Sequence, residues 1–182
     1  MAASGTPLNI LCASVAVAAL AATCAQAQAP PLDPQLSGLA FLTGRWTGGR
    51  GQVADTGDSS TGASVITIEA NGGALLRRDH TELFDKGGKS KGGFDQVMLI
   101  YPDDGSLKAD YSDGVHVIHY TRATVTAGRA VRFESETRPG APTYRLSYDL
   151  VSPDALKVDF TMAAPGGVDF RPVATGTLRR AP

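Results

Sequence analysis

The chain has 182 residues, with 17 Lys and Arg against 18 Asp and Glu and a formal net charge of −1. That length suits one domain, and the balanced charge leaves no basic excess for nucleic acid or an anionic membrane surface. The 21 glycines and 11 prolines, set among many Thr, Val and Tyr, point to short strands joined by tight turns.

In chain order, residues 10–22 form an apolar, alanine-rich run without charge. It has the length of a signal-peptide core and is too short for a comfortable membrane span. Ala25-Gln26-Ala27 has the small-x-small form of a cleavage site. Residues 1–27 therefore read as a signal peptide, 28–33 as a linker and 34–182 as one domain, periplasmic or secreted. No Lys or Arg precedes the apolar run, so the competing reading is an uncleaved buried or anchoring helix. Cys12 and Cys24 both lie here, and Ala21 and Thr23 depart from a lipobox around Cys24. The mature chain then has no transmembrane segment, no lipid anchor and no thiol chemistry.

Asp33-Pro34 combines a helix N-cap with proline at the first helical position. Leu36, Leu39 and Phe41 or Leu42 follow at helical spacing, predicting one short helix over 34–43 that ends at Gly44. The remainder predicts strands over 45–53, 63–70, 74–84, 94–101, 106–112, 115–124, 130–137, 143–152, 155–164 and 168–179. Asn71-Gly72-Gly73, Asp104-Gly105 and Asp113-Gly114 mark the turns. Residues 54–62 and the Gly- and Lys-rich stretch 86–93 read as loops, the second a candidate lid. Pro172 falls inside the last strand, so a bulge or an edge position is expected there.

About ten strands with direct hairpin returns form an antiparallel meander, and closure into an up-and-down barrel removes its edges. Tyr144, Leu146, Tyr148 and Leu150 share one face, as do Leu156, Val158, Phe160 and Met162. Those faces make one apolar wall. A ten-stranded barrel is wider than its own side chains readily fill, which leaves room for a ligand cavity.

Gly44-Arg45-Trp46, opening the first strand after a short helix, resembles the G-x-W signature of lipocalins and related calycin barrels. The resemblance implies that a late basic residue, Arg179 or Arg180, stacks on Trp46 as a structural clamp. Residues 39–48 also look like the opening of nitrobindin-like barrels and of exported bacterial proteins without an assigned role. Asp110-Tyr111-Ser112-Asp113-Gly114 and residues 116–120 strengthen the second comparison. Nitrobindins bind haem through a late-strand His. The histidines here are His80, His116 and His119, so haem is not expected, and no other cofactor is.

His116 and His119 lie three apart, and on a strand they face opposite sides, one inside and one outside. No metal site is expected from them. On the third strand Leu75, Arg77, Asp79 and Thr81 share one face, and Leu76, Arg78, His80 and Glu82 the other. Either face carries a cation, and a buried charge needs a partner. Arg77, Arg78, His80, His119 and Tyr120 are therefore the candidate ligand-binding residues, with an arginine meeting an anionic head group. An internal ion pair or a solvated mouth is the competing account. There is no G-x-S-x-G, H-E-x-x-H or phosphate-binding glycine loop. The favoured reading is an all-β barrel that binds a small hydrophobic or amphipathic molecule. The alternatives are an enzyme using His119, Tyr120 or His80 inside the barrel, and a filled barrel with a structural or interaction role. Oligomeric state is not legible.

Overall fold

The structure is a computed structural model that describes residues 30–182. The expected signal peptide, its cleavage site and both cysteines lie outside the described residues.

The first three strands are β1 (Gly44–Gly48), β2 (Gly51–Val53) and β3 (Ser59–Glu69). The long hairpin of β4 (Ala74–Phe84) and β5 (Ser90–Asp103) follows, then β6 (Ser106–Ser112) and β7 (Val117–Thr126). The chain ends with β8 (Ala130–Ser135), β9 (Thr143–Ser152), β10 (Ala155–Ala163) and β11 (Arg171–Arg180). Each strand from β3 to β11 pairs antiparallel with the next, as direct hairpin returns require. β1 pairs with both β11 and β3, and so does β2. Together they form one stave of a closed ten-stave barrel, broken at Gly49-Arg50. This is the architecture that the resemblance to lipocalin-like barrels implies.

One end is plugged. The segment after Asp33 makes a turn and then a 3-10 helix, Ser37–Leu42, which buries Leu39, Phe41 and Leu42. Backbone bonds from Asp33 N to Gly72 O (2.9 Å) and from Gly128 N to Gly38 O (2.8 Å) tie it to two barrel turns. Beneath it Trp46, Leu75, Ile100, Val131 and Leu156 form a packed core. Trp46 Nε1 donates to Leu42 O at 2.8 Å. The Arg180 guanidinium lies 4.2 Å from the Trp46 ring. It also donates to Thr43 O (3.0 Å) and Phe41 O (3.1 Å). Arg180 therefore takes the clamp position, while exposed Arg179 lies 4.0 Å from Asp154.

Several expected elements are corrected. The helix over 34–43 shortens to a turn followed by the 3-10 helix Ser37–Leu42; Asp33 Oδ1 accepts from Gln35 N at 2.8 Å, so the expected cap bond forms although no α-helix follows it. Residues 59–62 belong to β3, and Ser90 to Gly93 belong to β5. The candidate lid is thus an ordinary hairpin tip, closed by Asp85 Oδ1 accepting from Gly87 N and Lys89 N, each at 2.9 Å. The sixth predicted strand starts at Val117, which leaves His116 in the preceding turn. The expected bulge at Pro172 is present: Phe160 pairs with Ala174 and Thr161 with Pro172.

Candidate functional site

Strand alternation and the barrel curve settle which side chains face the lumen. On β4 the odd residues Leu75, Arg77, Asp79, Thr81 and Leu83 point in, and Arg78 and His80 point out. On β5 Phe94, Gln96, Met98 and Ile100 point in; on β6 and β7 Tyr111, Ile118 and Tyr120 do so. A bulge after Tyr120 then turns Arg122 outward, onto Glu134.

The half of the barrel away from the plug holds a cavity of about 400 Å³. Its floor is at the level of Ile66, Arg77, Tyr120, Leu146 and Tyr148, and its upper wall includes Leu83, Phe94, Phe160 and Val173. Its sides differ. The β1–β2 stave and its neighbours contribute Gly49, Gly51, Ser60, Gly62 and Gly176, almost bare backbone. Tyr111 and Tyr120 stand across from them.

Arg77 organises the floor. β4 and β9 lie five staves apart in the ring, so Arg77 reaches across the lumen to Tyr148 on the opposite wall. It is only 7% exposed. Its Nε donates to Asp79 Oδ2 at 2.6 Å, and Nη2 pairs with the same oxygen. Nη2 also donates to Gln96 Oε1 at 3.1 Å. Nη1 donates to the Tyr148 hydroxyl and touches Met98 Sδ at 3.7 Å. Gln96 is held in turn by Nε2 donating to Thr81 Oγ1 at 3.1 Å. Burial disfavours the guanidinium charge, but the Tyr148 and Asp79 oxygens outweigh it and raise the Arg77 pKa, keeping it protonated. Burial pushes Tyr111 up to about 12 and raises Tyr120 and Tyr148 further, so all three phenols stay neutral near pH 7.

Asp79 is incompletely satisfied. Its Oδ1 is buried and has no hydrogen-bond partner among the described residues. A buried acceptor left without a donor costs about 1–3 kcal/mol.

Of the five candidate ligand-binding residues, Arg77 and Tyr120 line this cavity. Arg78, His80 and His119 are exposed on the outer surface, so the expected convergence of His and Arg is not formed. All three histidines lie outside the lumen, correcting the inside–outside split expected for His116 and His119. His80 bonds Asp95 (2.7 Å) and Glu82 (3.0 Å), His116 bonds Asp113 (3.1 Å) and His119 bonds Asp110 (2.6 Å). Among the described residues no group of three or more His, Cys, Asp or Glu is placed to hold a metal ion.

No protein-family model matches the sequence, and no curated protein matches it. Solved structures with some likeness include EF1p2_mFAP2b bound to DFHBI, at 15% identity and TM-score 0.43, covering 81% of this chain and 99% of that one. A de novo designed fluorescence-activating β-barrel shows 15% identity and TM-score 0.40, over 81% of this chain and 98% of that one. A DUF3598-family protein of unknown function from Nostoc punctiforme shows 11% identity and TM-score 0.28, over 82% and 100%.

Asp79, Gln96, Tyr111 and Tyr148 join the site in the structure and are not among the residues expected from the sequence. For Asp79 a signal existed: it lies two residues from Arg77, hence on the same face. For Tyr148 none did, because only closure of the ring brings β9 opposite β4. Among the described residues no helix is long and apolar enough to cross a membrane.

Proposed function

We propose that this protein is an exported barrel that binds one small, mainly apolar or amphipathic molecule in its lumen. The observation that carries this reading is the cavity itself. It is roomy and most of its exposed lining is apolar, with Arg77, Tyr120 and Tyr148 together at its floor and Ser, Thr and Asp113 side chains elsewhere around the wall, a lining that suits an amphipathic small molecule. Arg77 and Tyr120 are the members of the expected set that would meet the ligand.

The test is titration of the purified domain with the neutral dye Nile red. Saturable binding of one dye per chain is expected. A Val158→Trp variant, which fills the lumen from β10, should weaken it at least tenfold with an unchanged far-UV spectrum. No saturable binding, or equal binding by the variant, would overturn the reading. Mass spectrometry of protein secreted or released from a bacterial periplasm tests export, the expected new N-terminus being Gln28.

A further inference from the structure

The hydrogen bonds of the floor discriminate among the end groups a ligand can bring. A guanidinium has five N–H bonds. Those of Arg77 face Asp79 twice, Gln96, Tyr148 and the sulfur of Met98. Its charge is matched by Asp79 within the same layer. A carboxylate entering here would find the arginine already engaged and would meet the negative charge of Asp79, whose side chain is largely buried. Asp79 is the reverse case. Oδ2 takes the arginine, while Oδ1 is buried without a donor. The floor therefore lacks a donor and has a cation already matched.

We propose that the cavity selects a neutral ligand ending in a hydrogen-bond donor, such as a hydroxyl, phenol or amide N–H, and discriminates against carboxylates, with Asp79 Oδ1 as the acceptor. This rests on the carrier reading above and specifies the ligand class for the same site. The bare backbone at Gly51, Gly62 and Gly176, facing Tyr111 and Tyr120, suits a flat body on that end group.

Three probes of one shape test the proposal: 2-naphthol, its methyl ether 2-methoxynaphthalene, and 2-naphthoate, each competed against Nile red at pH 7. The phenol is expected to bind at least tenfold more tightly than the ether, which has no donor, and than the acid. In Asp79→Asn the arginine loses its counter-charge, and the order should invert, 2-naphthoate gaining at least tenfold over wild type. In Arg77→Met/Asp79→Leu, which replaces the pair by apolar side chains, the phenol and the ether should bind within threefold of each other. The wild-type ranking is sufficient even where a variant fails to fold. If 2-naphthoate or the ether matches the phenol on wild-type protein while Nile red still binds, the proposal falls and the carrier reading stands. If Nile red and all three probes fail to bind, both fall.

Discussion

Arg77 is the residue on which the barrel interior turns. Removing it alone, as in Arg77→Met, leaves Asp79 as a buried charge without its cation, and losing one partner of such a pair costs about 3–5 kcal/mol. Arg77→Met/Asp79→Leu removes both charges and should recover most of that loss. Urea denaturation of the three proteins checks the prediction, and a double variant as unstable as the single one would contradict it. Arg180 invites the same treatment. It stacks on Trp46 and donates to two carbonyls that would otherwise end the plug unpaired. Arg180→Ala should cost about 2 kcal/mol. It should also shift the emission of Trp46, the single tryptophan. Arg180→Lys should not restore stability, because one ammonium cannot stack and bond in a fork together. On the outer surface, bonds to Asp95 and then Glu82 raise the His80 pKa. The folded state thus holds this proton more tightly than the unfolded one. Its stabilising effect is full below the ordinary His value, and it fades as pH rises through the raised folded value. In His80→Gln that part of the pH dependence should vanish from thermal melts between pH 6 and pH 8, values bracketing the ordinary His titration at about 6.5.

Among the elements, the β1–β2 stave is the least regular and the most constrained. A methyl group on Gly49 would stand 1.8 Å from Thr177 O, and one on Gly48 2.7 Å from Gly62 O. Backbone meets backbone there, so the break at Gly49-Arg50 has no slack. Gly49→Ala should destabilise by about 1–3 kcal/mol through overpacking, read as a lower melting temperature; an unchanged value would mean that the stave can move outward. Strand positions were largely legible, because Tyr144 to Leu150 and Leu156 to Met162 alternate cleanly and the turns carry Asn-Gly or Asp-Gly. The misjudged elements share a physical cause. Ser59 to Gly62 and Ser90 to Gly93 are small and polar, with weak strand preference of their own. They are strand because β4 lies between them and pairs with both.

For the whole molecule, the ring was legible and its contents only in part. Ten turn-bounded strands imply closure, and closure at this width implies a lumen. Which residues meet across it depends on strand tilt and register, and no local pattern carries those. That is why Arg77 and Asp79 could be seen as neighbours, whereas Tyr148 could not be joined to them. Occupancy should register on the whole fold. A ligand present at a hundred times its dissociation constant stabilises by about 2.7 kcal/mol, seen as a rise in melting temperature that the Val158→Trp variant lacks. The seam between β1 and β11 has a different consequence. Its partners are far apart in the chain: Arg180 meets Thr43 over 137 positions. During synthesis the ring stays an open gutter until residues 171–180 emerge, and such distant pairing is slow. Until then β10 and the β1–β2 stave each present an unpaired edge, which invites pairing with other chains. β11 thereby acts as the closing element: only a chain that has emerged past residue 180 can hide both of these edges.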